Sequence, residues 1–398
     1  LLADVGGVVN YDTDTRIPSD NCARVPTTNY IYIDATNGND ANDGLTAETA
    51  VKTFSTMLAR ARACYDANKA QQVVCFAPGE YNTSSTTISR PIVFDGGLGN
   101  VRLYHTDTYI QFTCWNNFSN PRSGMRRLTF SGPTSWSGKN SGIVQVSNNA
   151  IIDNVVISNA VSGINHNPGD GVVRVRGGVI TNCLITCCRS PNPTVTKNTS
   201  GIINMTSGLL ANTRITSCLS EGTTYGYGGA VYMTGGIVRN CLFDNNRAYT
   251  QGSAIYVNPT ASECRIENCT VVDNAAIEGS ASEIYGVYVA NPSNRKTTYL
   301  NNNIIYFNSG VGETQKNIMN LKMANSSYVI LSNNLTNVEI VDSAKASGNI
   351  VANPSFVDRV NKDYRIGIGG AVDKGTNLGW TMGSAQTDLA GKKRILGE

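Results

Sequence analysis

The sequence predicts an all-β fold, a single-stranded right-handed parallel β-helix (a solenoid) with about 28 residues per coil and an N-terminal capping helix. Three observations support this prediction. A short motif recurs at that interval, Gly and Asn stand where the chain must turn, and both ends of the chain lack the repeat. A chain of 398 residues also exceeds the size, about 250 to 300 residues, at which single compact cores usually stop growing.

The repeated motif is an apolar residue, an Asn two residues later and a large apolar residue three residues after that Asn. In V-I-T-N-C-L-I, Ile180 and Ile185 flank Asn182. One coil cannot bury its own apolar face, so the flanking residues should point inward and stack on their equivalents. The predicted inward residues are Ile180, Ile185, Leu210, Ile215, Val238, Phe243, Ile266 and Val271. The Asn residues, predicted to stand at bends and bond the next coil, are Asn154, Asn182, Asn212, Asn240, Asn268 and Asn302.

The 11 cysteines follow the same repeat. Cys183, Cys241 and Cys269 come directly after the repeated Asn, and Cys188 and Cys218 share a second position. An odd number of cysteines in a long chain does not suggest a small disulfide framework. We therefore interpret most of them as small buried core residues, with disulfides between stacked neighbours as the alternative.

The ends of the chain differ from the repeats, and they divide the sequence into an N-terminal extension, an N-terminal cap, the β-helix and a C-terminal closing segment. These four segments are residues 1–28, 29–90, 91–345 and 346–398. Within the cap, an amphipathic helix is expected from about Ala50 to Ala67. Its apolar face is formed by Phe54, Met57, Leu58 and Ala61. A helix in this place would protect the unpaired edge of the first coil.

Composition excludes two classes of protein. Only 15% of the residues are charged, the net charge is +3, and Lys and Arg do not form runs, so nucleic acid is not an expected partner. No apolar run approaches the roughly 18 residues that span a bilayer. The Gly- and Asn-rich composition is typical of a secreted β protein, so we expect an extracellular or cell-surface location. We also expect a cleaved leader, a lipid anchor at the outer membrane and a monomeric state.

A second set of residues marks a candidate binding surface. Arg174, Asn204, Tyr232, Tyr256 and Tyr288 share one position in the coils, and strand alternation should place them on one outer face. Aromatic rings beside Arg suit sugar rings and uronate carboxylates, whereas lateral stacking or cover by a loop is the structural alternative. The variable loops that follow the Asn-bearing strands should leave at one corner and wall a groove. The candidate carbohydrate-binding residues are Arg174, Arg176, Arg189, Lys197, Tyr225, Tyr227, Tyr232, Tyr256 and Tyr288.

Several stretches resemble known β-helix families. The turn NGNDANDG with FAPGEYNTS, and the late stretch NPSFVDRVNKDYRIGIGGAVDKG, resemble the ends of secreted bacterial right-handed parallel β-helix proteins of the pectate-lyase-like superfamily. GGAV at 228–231 and FDNN at 243–246 resemble the paired repeats of chlamydial polymorphic outer membrane adhesins. The resemblance implies the fold and export. It says little about activity, because the superfamily includes polysaccharide lyases, glycosidases and non-catalytic surface proteins.

The sequence lacks the motifs expected of polygalacturonase-like relatives. Asn-Thr-Asp, Asp-Asp and Gly-His-Gly do not occur, and the two histidines, His105 and His166, stand in no such context. We therefore expect a carbohydrate-binding or adhesion protein whose partner is a polysaccharide or a host cell-surface glycan. Two alternatives remain open, a structural surface spacer and a lyase acting on uronate-containing glycans. The candidate bases for a lyase are Arg174, Arg176, Arg189 and Lys197.

No cofactor is expected, with Ca²⁺ as the alternative. The turn that contains Asp34, Asp40 and Asp43 could supply oxygen ligands to Ca²⁺. Carboxylates in such turns more often accept hydrogen bonds from their own backbone, and we expect that arrangement here.

Overall fold

The computed structural model shows the expected all-β parallel β-helix, with about 28 residues in each turn and one α-helix near the N-terminus. It describes residues 29–84, 86–104, 110–113, 123–132, 143–148, 150–162, 171–191, 201–222, 226–277, 284–291, 294–309, 320–337, 346–367, 369–378 and 389. Strands of successive coils pair in parallel on what we call faces one to four. In a complete coil the chain follows the faces in that order and then enters a loop.

Four long strands cross a bend and contribute to two faces each. β8 (Gly124–Ser131) and β10 (Ile151–Ser158) belong to faces two and three, and β11 (Val173–Thr181) and β14 (Ile203–Ala211) to faces one and two. Face one also contains β4 (Thr86–Ile88), β7 (Ile110–Thr113), β9 (Val144–Ser147), β17 (Val231–Met233), β21 (Ile255–Val257), β25 (Val287–Val289) and β28 (Leu321–Met323).

The remaining strands complete the other faces. Face two contains β1 (Tyr30–Ile33), β2 (Gln72–Phe76), β5 (Ile92–Asp95), β18 (Gly236–Arg239), β22 (Cys264–Glu267), β26 (Thr298–Asn301), β29 (Val329–Ser332) and β31 (Ala346–Ser347). Face three contains β3 (Gly79–Asn82), β6 (Val101–Tyr104), β12 (Leu184–Thr186), β15 (Arg214–Thr216), β19 (Leu242–Asp244), β23 (Thr270–Val272), β27 (Ile304–Tyr306), β30 (Leu335–Thr336) and β32 (Ile350–Val351). Face four contains β13 (Arg189–Ser190), β16 (Leu219–Ser220), β20 (Arg247–Ala248) and β24 (Ala275–Ala276).

The repeated Asn residues form the bend between faces two and three. Asn182 and Asn240 have φ angles of 53° and 51°, in the left-handed region that Asn tolerates because its short side chain can bond locally. Asn240 Nδ2 donates to Asn212 Oδ1 of the preceding coil at 2.6 Å. The predicted bend and the predicted bonding between coils are therefore confirmed at these positions.

The interior is a continuous apolar column. All eight residues predicted to point inward are fully buried, Phe243 among them. Cys183, Cys188, Cys218, Cys241 and Cys269 are buried free thiols, which confirms their interpretation as core residues. Burial raises the pKa of the Cys183 thiol to well above its ordinary value, so it stays protonated.

A row of buried Asn residues lies at a second bend, between faces three and four. Asn246, Asn274 and Asn308 are fully buried, and each bonds the next. The Nδ2 atom of Asn246 donates to Asn274 Oδ1 at 3.0 Å, and that of Asn274 donates to Asn308 Oδ1 at 2.9 Å. The row satisfies polar groups that the bend turns into the core.

The helix α1 (Phe54–Asn68) covers the first coils. Its buried residues are the four that amphipathic spacing predicts, and Phe54 packs edge-to-face on Phe94 with ring centroids 5.6 Å apart. The helix begins four residues after the expected Ala50. The reason is local, because Val51 forms a parallel bridge with Ile33 and the Thr53 side chain caps the helix by accepting from the Thr56 amide.

The C-terminal segment departs from the repeat. After the 3₁₀ turn Ser326–Tyr328 and the last coil, the chain forms an antiparallel hairpin of β33 (Phe356–Asp358) and β34 (Asp363–Ile366). The hairpin packs its Tyr364 against Leu242 and Val272 on the outward side of face three. The Tyr364 hydroxyl donates to Asp273 at 3.0 Å.

Candidate functional site

The candidate site is an outward column on face one, in which each coil contributes one side chain. The strand register places Arg174 beside Asn204, Asn204 beside Tyr232, Tyr232 beside Tyr256 and Tyr256 beside Tyr288. The shared position that the repeat predicts is therefore confirmed by the pairing. The whole column is Thr87, Gln111, Gln145, Arg174, Asn204, Tyr232, Tyr256, Tyr288 and Lys322.

The aromatic half of this column is a stack. The rings of Tyr232 and Tyr256 lie 5.3 Å apart with planes 9° from parallel, and those of Tyr256 and Tyr288 lie 5.4 Å apart at 6°. Tyr227 precedes β17, and its ring lies 4.3 Å from the Tyr256 ring. The ring faces therefore contact one another, as in the stacking alternative, which leaves ring edges and hydroxyl groups for any ligand.

Although they point outward, residues of the column are largely covered. Asn204 is 4% exposed and Tyr256 is 9% exposed. Burial, together with the neighbouring tyrosines, raises the pKa of Tyr256 far above its ordinary value. Burial also raises the pKa of Tyr232, and a hydrogen bond with the Asn258 side chain opposes that rise. Both hydroxyl groups are therefore neutral hydrogen-bonding groups at any physiological pH.

Two arginines on β11 bring positive charge to the middle of the column. Arg174 is half-buried, and Arg176, the next outward residue on the strand, is exposed. Burial and the nearby charge of Arg176 lower the pKa of Arg174 to about 10. Arg174 is still protonated at neutral pH, so two adjacent positive charges lie at this point of face one. Among the described residues, no carboxylate forms an ion pair with Arg176.

Arg189 does not belong to this group. It lies on β13 of face four, which forms a separate sheet from face one. One of its guanidinium nitrogens donates to both carboxylate oxygens of Glu221, at 2.8 and 2.9 Å. Its charge is therefore compensated within the protein, and it is a weaker candidate for binding an anionic ligand.

Other candidates lie outside the described residues. They are Lys197 and Tyr225; the two histidines, His105 and His166, also lie outside the described residues. Most of the variable-loop residues that were expected to wall a groove are also outside this part of the chain. The strands on either side of these loops show that each loop leads from face four to face one of the next coil.

The acidic residues of the turn near the N-terminus accept hydrogen bonds from backbone amides. Asp40 Oδ1 accepts from the amides of Lys52 and Thr53, both at 2.9 Å, and Asp34 Oδ1 accepts from the amide of Thr36. Burial alone would raise the pKa of Asp40, but these hydrogen bonds outweigh it and lower the pKa below its ordinary value. Asp34 therefore bonds the backbone of its own turn, as predicted, whereas Asp40 bonds the segment that leads into α1.

Four members of the column were missed in the sequence: Thr87, Gln111, Gln145 and Lys322. Gln145 and Lys322 stand in coils whose motif is weak, G-I-V-Q-V-S and N-L-K-M-A, so they were not aligned with Arg174 and Tyr288. The signal that could have identified them is the alternation within each strand, because the flanking Val144, Val146 and Leu321 point inward or pack on the core.

These features define a class of protein, a parallel β-helix with an outward column on face one in which Arg174 and Asn204 are followed by stacked tyrosines and then by Lys322. A scan against protein-family models found no match, and a search of curated proteins found none. No helix in the described parts of the chain is long and apolar enough to cross a membrane.

Proposed function

We propose that this protein is an extracellular or cell-surface binder of acidic polysaccharide, and that face one is its binding surface. The observation that carries the proposal is the outward column itself, with Arg174 and Arg176 at its charged part, Asn204 next to them and the tyrosine stack beyond. Carbohydrate binding by a protein needs convergent polar groups and aromatic surface, and no catalytic group.

The column matches the shape of an extended polymer. Coils repeat at about 4.8 Å, so the column from Gln145 to Lys322 is about 29 Å long and presents one outward side chain per step. The guanidinium groups of Arg174 and Arg176 suit carboxylate or sulfate oxygens. The hydroxyl groups of the tyrosines can donate hydrogen bonds to sugar hydroxyls and accept hydrogen bonds from them. An acidic chain lying along the helix axis would engage these groups in turn.

The location outside the cell has separate support. Cys75 is disulfide-bonded, and disulfides persist in oxidising compartments such as the periplasm and the extracellular space. The free thiols on β-helix bends are mostly buried, which protects them from oxidation in the same environment.

One observation favours the alternative, a polysaccharide lyase. The lowered pKa of Arg174, about 10, makes this residue a better base than an ordinary Arg. At neutral pH, however, Arg174 remains protonated. The protonated form favours binding of a carboxylate over removal of a proton, so binding is the function we put first.

The proposal is tested by calorimetric titration with polygalacturonate, alginate and heparin, and with neutral dextran as a comparison. We expect at least one acidic polymer to bind, and Arg176→Ala to weaken that binding about tenfold, since charge-assisted hydrogen bonds contribute roughly 1.5–3 kcal/mol. Arg189→Ala is the matched control and should leave the affinity unchanged. Equal losses in the two variants, or no binding of any acidic polymer, would refute the proposal.

A lyase assay on the same polymers separates the two functions. Cleavage by β-elimination produces an unsaturated sugar that absorbs in the ultraviolet, and we expect none, with or without Ca²⁺. If product appears, if its rate rises as the pH approaches 10, and if Arg174→Lys abolishes it, the protein is a lyase and the binding interpretation of Arg174 is wrong.

A further inference from the structure

Lys322 lies at the far end of the face-one column and gives that column a second point of positive charge. The strand register places it beside Tyr288, five coils after Arg174. Its side chain is exposed, and its ammonium nitrogen lies over the Tyr285 ring, 5.8 Å from the ring centre. A cation at this distance is attracted to the face of the ring. The Tyr285 ring therefore helps to hold the ammonium group at the end of the column.

The exposed cations at the two points are not compensated within the described part of the chain. Arg176 and Lys322 form no ion pair there, in contrast to Arg189, which is paired with Glu221. Between the two points the column contains Asn204 and the tyrosine stack, and neither Asp nor Glu. The anionic groups of a ligand therefore meet positive charge at the two ends of this stretch and uncharged polar groups between them.

The distance between the two points is fixed by the fold. Five steps of about 4.8 Å separate the coil of Arg174 from that of Lys322, so the points lie about 24 Å apart along the helix axis. The strands between them are hydrogen-bonded in register, coil by coil, so the spacing does not adjust to a short ligand. A single anionic group can therefore reach only one of the two points.

We infer, on the basis of the proposed function, that face one selects its ligand by length and that Lys322 is the residue responsible for this selection. An acidic polysaccharide that spans about 24 Å, five coil steps, binds Arg174 and Arg176 with one anionic group and Lys322 with another. Shorter fragments of the same polymer bind one point at a time. The ligand class is therefore a long, continuous acidic chain, as distinct from acidic monosaccharides and disaccharides.

Contact with two points makes the affinity depend strongly on chain length. An exposed ion pair is weak on its own, because water and salt screen it. Once one end of a chain is bound, the second contact forms within the complex, and the length of the chain sets the effective concentration of its other end. This gain is absent until the chain can span both points. We therefore expect the affinity to rise in a step at the spanning length.

Calorimetric titration with size-fractionated oligomers tests this length selection. The probes are fragments of polygalacturonate, alginate and heparin, in fractions shorter and longer than the span between the two points. For a polymer that binds, we expect the affinity to rise at least about tenfold across the spanning length. Lys322→Ala should remove this step and leave only the gradual rise that comes from the larger number of binding positions on a longer chain. Lys322→Arg keeps the charge and should keep the step.

Lys374→Ala is the matched control. It removes an exposed lysine from the C-terminal segment, away from face one, and keeps the backbone oxygen that accepts from Asn333 at 2.9 Å, so the step should be unchanged. Thermal melts identify any variant that fails to fold. Binding of long chains without a step, or a step that survives Lys322→Ala, overturns the inference and leaves the proposed function standing. If none of the three polymers binds, the proposed function fails, and the length selection fails with it.

Discussion

Faces one and three both hide outward side chains, but they hide them by different means. On face one the tyrosines cover one another within the column, at ring distances of 5.3 and 5.4 Å. On face three the outward side chains of Arg214 and Asp244 are 1% and 0% exposed, in a region where the C-terminal hairpin packs on Leu242 and Val272. Cover on face one belongs to the repeat, whereas cover on face three comes from a distant part of the chain.

The difference shows what outward position means in a β-helix. Alternation along a strand decides whether a side chain enters the core, but it does not decide whether the side chain meets water. On face three the covered position contains a buried ion pair, in which Arg214 donates to Asp244 at 2.9 and 2.8 Å. On face one it contains neutral rings. The cost of removing one member should therefore be larger on face three.

The largest expected effect is that of Asp244→Ala. Arg214 would remain buried without its carboxylate, so the free energy of unfolding should fall by about 3–5 kcal/mol. Denaturant unfolding measures the loss. Arg189→Ala is the control, because it breaks a pair whose arginine side chain is 53% exposed and should cost less than about 1 kcal/mol. Similar losses in the two variants would remove the contrast between buried and exposed pairs.

Tyr256→Ala should have the next largest effect. Tyr256 stacks on Tyr232 and Tyr288, and each aromatic pair contributes about 0.5–1.5 kcal/mol beyond its buried area. We expect a loss of about 2–3 kcal/mol in the same unfolding experiment. Tyr256→Phe keeps the stack and should be nearly neutral. If Phe is as harmful as Ala, the hydroxyl group and not the stack stabilises face one.

Asp273→Asn tests the attachment of the hairpin to face three. The Asp273 carboxylate accepts from Arg359 at 2.8 Å and from the Tyr364 hydroxyl at 3.0 Å. Weakening these bonds should cost about 1–2 kcal/mol and speed amide hydrogen exchange in residues 356–366. Asp363→Asn is the control on the same hairpin, since its bond to Arg365 is internal to β34. Unchanged exchange in the Asp273 variant would mean that apolar packing alone holds the hairpin.

The smallest expected effect is that of low pH on the N-terminal turn, which contains Asp34 and Asp40. Hydrogen bonds lower the pKa of Asp40 and of Asp34 in the folded protein. Their contribution to stability is therefore fully present above the unfolded value, about 3.9, and is lost as the pH falls through the lower folded value. Asp40→Asn should lower the melting temperature slightly at pH 6, and by less as the pH falls below about 3.9. An equal loss at pH 6 and at low pH would contradict this linkage.

The repeat made the interior predictable and left the outer cover unpredictable. The inward residues, the bend at Asn240 and the buried face of α1 follow from spacing, because each is repeated or periodic. Asn246 and Asn274 each stand six residues after the Asn of the first bend, so the sequence shows that they are repeated. Their buried role depends on the second bend, which strand alternation alone does not locate. The pairing of Arg359 with Asp273 joins residues 86 positions apart, and no local pattern encodes it.

The buried amides at the second bend give the helix a direction. Both the backbone N and the Nδ2 of Asn246 donate to the Oδ1 of Asn274 in the next coil, and Asn274 does the same toward Asn308. Each coil thus relies on its successor to accept two hydrogen bonds. During synthesis from the N-terminus, the growing end of the helix exposes two such donors until the following coil arrives. These two hydrogen bonds of each coil can therefore form only after the following coil has folded, whereas the same Asn side chains already donate to the preceding coil.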